Sequence, residues 1–264
     1  VAPEGSIFNP EFPNAAEARF AQIHRIVDCI IKALAPVTPD NTTAGNSATL
    51  SFGAYSGMRD SGDMWVFIEV NEGSYGGRPG SDGPDSIDCL MANTRNNPIE
   101  ELGMHSPLMC DRYELRDDGL PAAGKYRGGV GVVKIPRFLT DGVMTHESDR
   151  HEDRPWGILG GEAGHGGRVF KYNIADPSSR EEIPAKFSGL RTLKGDCVEI
   201  YTPCGGGYGD PLERAPEQVR EDVLDDFCTV EHAFNIYGVV MDDAANLDLA
   251  ATEQRRAEMR RSAA

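Results

Sequence analysis

Four stretches of the chain concentrate glycine where a backbone could meet a ligand: GSYGGRPGSDG (73–83), GKYRGGVG (124–131), GGEAGHGG (160–167) and PCGGGYGDP (203–211). Glycine admits positive φ and close backbone approach, so such loops cradle phosphates, wrap ligands or simply turn tightly. The phosphate patterns fit poorly. GLPAAGKY (119–126) satisfies GxxxxGK, but Tyr126 stands where Ser or Thr would hold magnesium, and Pro121 lies inside the loop. GGGYG (205–209) follows an expected strand, yet Asp210 replaces the last glycine of a dinucleotide fingerprint. Pro211 then delays the helix whose N-terminus would meet a pyrophosphate. Structural turns and ligand-facing loops both stay open as readings of these glycines.

A second cluster, THESDRHED (145–153), gathers His146, Glu147, Asp149, His151, Glu152 and Asp153, all donor types for a divalent metal. It sits at a strand end, where neighbouring side chains point in opposite directions, so a solvated charged turn is the expectation. The six cysteines form no CxxC pair, and reduced thiols are expected. No GxSxG, no HExxH and no recognisable catalytic Cys/His spacing is present.

These loops need elements to hold them. Residues 14–35 repeat Phe20, Ile23, Ile26, Val27, Ile30 and Ile31 at helical steps, with Asn14 as a cap. His24 lies one step from that apolar face and is expected to be a structural or surface histidine. Strands are expected over 48–56, 63–70, 110–116, 129–139, 143–148, 168–174 and 196–202, the first two as a hairpin. Helices are expected over 215–227, 229–238 and in AANLDLAATEQRRAEMRR. The strands are short and rarely alternate with helices. The fold class is therefore α+β: a β-rich, largely antiparallel body with an N-terminal helix and a helical C-terminal tail. The body is expected over 1–213 and the tail over 214–264.

The chain has 264 residues and a net charge of −16. That charge argues against a nucleic-acid surface. Mean hydropathy is −0.41, and no apolar run approaches the ~20 residues of a membrane span. With no secretory signal in view, a cytoplasmic protein is expected. The first residue is Val, which suggests a processed product, a fragment or one part of a divided protein.

Taken in order, several stretches resemble the hydantoinase B/5-oxoprolinase family. GGRPGSDGPDSIDCLMANTRNNPIEELG (76–103) is similar to its glycine loop running into an NTxxxPxE-type stretch. RYELRDDGLPAAGKYRGGVGVVKIPRFL (112–139) and SDRHEDRPWGILGGEAGHGGR (148–168) resemble the segments that follow. TPCGGGYGDPLERAPEQVREDVLDDF (202–227) is similar to the family's ending, which makes this chain resemble the C-terminal half of a B-type subunit. Cys204 and Cys89 depart from the pattern, standing where Gly and often His are usual. Carrying a Cβ, Cys204 is expected at negative φ.

The resemblance implies an enzyme that works within a multi-subunit complex and is not active alone. The implied function is part of an ATP-dependent cyclic-amide hydrolase that phosphorylates the amide carbonyl and opens the ring. The alternatives are a subunit of an acetone/acetophenone-type ketone carboxylase, or a non-catalytic structural subunit of such a complex. ATP and a divalent metal are expected on partner chains, with no metal ligand assigned here. Those partners are a hydantoinase A-like ATP-binding subunit and the N-terminal half of the B-type subunit on another chain. The carboxylase case adds a small metal-binding subunit. Substrate-binding candidates are Arg78, Asp82, Asn93, Thr94, Arg95, Asp149 and Arg150. Gly205, Gly206, Gly207, Tyr208, Gly209 and Asp210 are expected to shape a loop near the shared site.

Overall fold

The computed structural model describes residues 2–14, 19–47, 51–88, 90 and 94–263. Helix α1 (Arg19–Leu34) leads into the hairpin β1 (Ser51–Met58) and β2 (Met64–Asn71). A short helix α2 (Ile99–His105) precedes β3 (Leu108–Leu115), β4 (Val132–Phe138) and β5 (Gly142–Glu147). β6 (Arg168–Asn173), β7 (Asp176–Glu182), β8 (Lys186–Thr192) and β9 (Asp196–Tyr201) complete the strands. The chain ends in α3 (Pro216–Leu224), α4 (Val230–Asn235) and α5 (Leu249–Ala263). None of the helices among the described residues is long and apolar enough to cross a membrane.

The strands form two antiparallel sheets, ordered β2-β1-β5-β8 and β3-β4-β9-β6-β7. The α+β class expected from the sequence is the one observed. Alternation decides the packing: Tyr55 and Trp65 turn inward from the first sheet while Val66 and Ile68 turn out. Tyr55, Trp65 and Met144 meet Leu108, Phe138, Val169, Val198 and Ile200 in one buried cluster between the sheets. β9 is buried along its whole length, as a central strand covered on both faces must be. The tail has its own small core, in which Val219, Ala233, Tyr237 and Val239 pack on Ala123 of the body.

Helix α1 corrects one expectation. Its polar residues His24 and Asp28 are buried, whereas Ile23, Ile26, Ile30 and Leu34 are exposed. The Asp28 carboxylate accepts from the Arg150 guanidinium and from Trp156 Nε1 at 3.3 Å. Ion pairing of Asp28 therefore fixes which face turns in, and the isoleucine stripe is left outward.

The four glycine-rich stretches converge into one backbone mat. Gly206 N donates to Gly45 O, Gly77 N to Gly206 O, Gly205 N to Gly129 O and Gly207 N to Glu162 O, at 2.8–3.0 Å. A Cβ at Gly205 would lie 1.9 Å from Tyr75 O, and one at Gly207 1.9 Å from Ala123 O. Only glycine fits such backbone-to-backbone contact, as at the axis of collagen. Cys204 is buried beside the mat and is not among the residues with positive φ. The Tyr208 hydroxyl donates to Pro39 O at 2.8 Å, and Asp210 caps the following turn through Leu212 N. Gly209, at φ +77°, makes the exit turn.

Candidate functional site

A cleft of about 270 Å³ opens on the side of the sandwich where β2 and β3 are the edge strands. β2 supplies Phe67 to Val70 and the following turn supplies Glu72; Asp88 and residues 94–97 wall the opposite side. Leu102 of α2 and Lys134 of β4 close the floor.

Its polar groups are organised by the two sheets facing each other. Lys134 sits in an apolar strand, 6% exposed, and must find a partner. It bridges the sheets to Glu69 of β2, whose other oxygen accepts from the Tyr55 hydroxyl at 2.8 Å. The Lys134 ammonium also lies 4.8 Å from the Tyr113 ring centre. Tyr113 donates to Glu72 at 2.6 Å and accepts from Asn96 Nδ2 at 2.5 Å. Burial pushes the Glu72 carboxyl above its usual range, although the Tyr113 hydrogen bond opposes this. Tyr113 is raised as well, by burial and by Glu72. The cleft thus carries an ammonium paired with Glu69, a carboxyl raised by burial and held by Tyr113, and amide donors at the rim.

The residues singled out from the sequence scatter around this cleft. Thr94 and Arg95 line it. Thr94 donates its backbone N–H at 2.8 Å, and its hydroxyl, to Asp88. Arg95 is exposed at the mouth, with no hydrogen bond or ion pair among the described residues. Asn93 and Cys89 lie outside the described residues. Arg78 is half-buried at the tip of the first glycine loop, where its backbone pairs with Ser81. Asp82 is instead a clamp: it accepts from both terminal nitrogens of Arg214 at 2.6 and 2.8 Å and from Arg127 N at 2.8 Å. Asp149 pairs with Lys186 at 2.7 Å and Arg25 at 3.7 Å. Arg150, at φ +64°, turns inward to Asp28.

The His/acid stretch is a solvated turn only in its second half, where Glu152 and Asp153 are exposed in a bend. His146, Ser148 and Arg150 are buried, because β5 carries the stretch into the sandwich. Among the described residues no three His, Cys, Asp or Glu side chains are grouped to hold a metal ion. His146 Nδ1 meets Ala185 O at 3.0 Å and its ring stacks on Phe187. Burial lowers His146 to about 4. A base lowered on folding stabilises the fold above its unfolded value near 6.5 and loses that contribution as pH falls towards 4, up to about 3 kcal/mol. Urea midpoints should therefore drop between pH 7 and 4.5, and His146→Gln should flatten that drop. An equal slope in the variant would remove His146 as its cause.

Glu69, Glu72, Tyr113 and Lys134 are functional candidates that reading along the sequence misses. The available signal was a charge inside an apolar strand, Lys134 in VVKIPRF and Glu69 in MWVFIEVN.

A family model described as hydantoinase B/oxoprolinase matches residues 1–211. A protein assigned as the B-type subunit of a D-/L-hydantoinase from Pseudomonas sp. (strain NS671) is 43% identical, covering 97% of this chain and 43% of that relative. Among solved structures, the ATP-dependent caprolactamase of Pseudomonas jessenii superposes with a TM-score of 0.78 at 22% identity, covering 97% of this chain and 46% of its own. Acetone carboxylase, in a nucleotide-free structure, superposes with a TM-score of 0.67 at 20% identity, covering 84% and 34%. The chain spans less than half the length of each of these proteins.

Proposed function

The chain belongs to the hydantoinase B/oxoprolinase family, and from that premise we propose that it forms part of an ATP-dependent cyclic-amide hydrolase, with the cleft beside β2 meeting the substrate. The observation that carries this reading is one cleft that holds both Lys134, ion-paired to Glu69, and the Glu72 carboxyl, which burial pushes above its usual range and which Tyr113 holds in place.

A ring amide resists water because its nitrogen lone pair is delocalised. Transfer of a phosphoryl group from ATP, held on an A-type partner, to the amide oxygen removes that protection. Water then adds at the carbon and the ring nitrogen leaves as an amine. A second water releases phosphate from the acyl phosphate. In this scheme Lys134 and Arg95 meet the growing negative charge on oxygen, Arg95 by a two-pronged contact with the phosphoryl group. Glu72 hands its proton to the departing nitrogen, and Tyr113 holds the carboxyl in place.

The test is the assembled complex offered a hydantoin, 5-oxoproline or ε-caprolactam with ATP, scored by ADP and opened product. Arg95→Ala should leave assembly intact and lower kcat/KM about tenfold or more. Glu72→Gln should remove the limb on which rate falls as pH rises through the raised carboxyl value. Unchanged turnover in Arg95→Ala would take the cleft out of the reaction. Consumption of acetone and bicarbonate with no ring opening would replace the hydrolase reading by the carboxylase one.

A further inference from the structure

Among the described residues the two sheets have four edge strands, β2, β8, β3 and β7, and three of them are blunted. β3 carries a register shift between Cys110 and Arg112 and the charges of Asp111, Arg112 and Glu114. β7, DPSSREE, is exposed throughout and holds a proline. β8 has Gly189 at φ +69°, Lys186 and Arg191, and pairs with β5 through another shift. These are the devices by which edges avoid pairing with other chains. Among the described residues β2 has no register shift, proline, glycine or outward charge, and its one such device is an inward charge that Lys134 neutralises. It pairs with β1 from Asn71 to Met64 without a break. Its only charged residue, Glu69, points inward to Lys134. Its outward row is Met64, Val66 and Ile68, at 72%, 55% and 54% exposure, beside Met58 at 55%.

The direction of its free amides follows from the ladder. Arg59 N donates to Asp63 O, which makes that pair a hydrogen-bonded one. Hydrogen-bonded pairs alternate along an antiparallel ladder, so the N–H groups of Trp65, Phe67 and Glu69 face β1 and those of Met64, Val66 and Ile68 point away from it.

We infer that the free edge of β2 accepts a strand from the remainder of the B-type polypeptide, extending the four-stranded sheet by one. The occupant is argued from length: the solved caprolactamase chain matched over 97% of this chain has more than half of its own residues outside the match. The inference rests on the B-type reading above and deepens it. Phe67 to Val70 belong both to this edge and to the cleft wall, so the docked strand closes the side on which the cleft opens.

Hydrogen–deuterium exchange tests it, on the chain alone and on the chain co-expressed with the part of the Pseudomonas D-/L-hydantoinase B-type polypeptide that lies outside the match. The amides of Val66 and Ile68 should exchange freely alone and slow at least a hundredfold in the complex. Val66→Pro removes an outward donor only, so it should leave the isolated chain folded and weaken the complex at least tenfold. No complex, or a complex in which these amides stay fast, overturns the inference. So does protection that grows with the concentration of this chain alone, which would assign the edge to a second copy. ATP-dependent turnover, measured after the A-type partner is added to the same preparation, separates the two readings. Slow amides without ring opening would sink the hydrolase reading and spare the docking. Ring opening with fast amides would do the reverse.

Discussion

Gly205→Ala is expected to abolish the native fold at 25 °C, with loss of the near-UV signal and of resistance to protease. The added methyl carbon would sit 1.9 Å from Tyr75 O and 2.3 Å from the carbon of the same carbonyl. Neither atom can swing aside, because both belong to backbone fixed by the Gly129–Tyr75 and Gly205–Gly129 hydrogen bonds. Overpacking a core of side chains costs about 1–3 kcal/mol. Here several stretches of the mat must separate together, so the expected loss is about 5 kcal/mol or more, comparable to a whole domain's stability. The control is Gly62→Ala, in the β1–β2 turn. Gly62 has φ +90° but no atom within 4 Å of where a Cβ would stand, so only the left-handed conformation opposes the substitution, at about 1 kcal/mol. Similar losses in both variants would mean that backbone conformation, and not close approach, explains the glycines.

Arg214→Met should cost about 3–5 kcal/mol and release the C-terminal helices to protease. The Arg214 side chain is 2% exposed and grips two carboxylates at once, Asp82 in the first glycine loop and Asp222 on α3. Burial alone would lower it, but the paired carboxylates outweigh burial and raise it above the usual arginine range. Methionine fills much of the volume yet leaves two acids facing each other, Asp222 itself being buried. Arg214→Lys should recover little of the loss, because an ammonium cannot reproduce the fork. Full recovery by lysine, judged by urea midpoint, would show that charge and not geometry holds the tail.

The legible part of the fold was the part with strong patterning. β2, β4 and β9 read correctly because they are β-branched or aromatic runs bounded by turns, β1 because Phe52 and Tyr55 lead into a hairpin turn, and α3 because Pro216 and Glu217 open it. β7 and β8 were missed because they pair at one end of each sheet with little to bury; DPSSREE has neither alternation nor β-propensity. α2 was missed because seven residues carry too little periodicity to register. Composition also misled at α1, where the buried face is the one bearing His24 and Asp28.

The candidate site was less legible than the fold. Thr94 and Arg95 were identified and do line the cleft, but their chemical neighbours arrive from β2, β3 and β4. That juxtaposition depends on which sheet faces which. Asp82 looked like a ligand group because it lies among glycines; the same glycines bring it close to Arg214, a residue far along the chain.

The glycine mat also bears on the order in which the molecule folds. Its hydrogen bonds join Gly45 to Gly206 and Gly77 to Gly206, partners drawn from opposite ends of the chain. Closing loops of that length is slow, and a glycine segment offers no side-chain contact to reward an early encounter. The local β1–β2 hairpin is therefore expected to form early and the mat to zip up late, locking the sheets to the tail. A substitution there would act after the transition state, speeding unfolding while leaving the early folding rate almost unchanged.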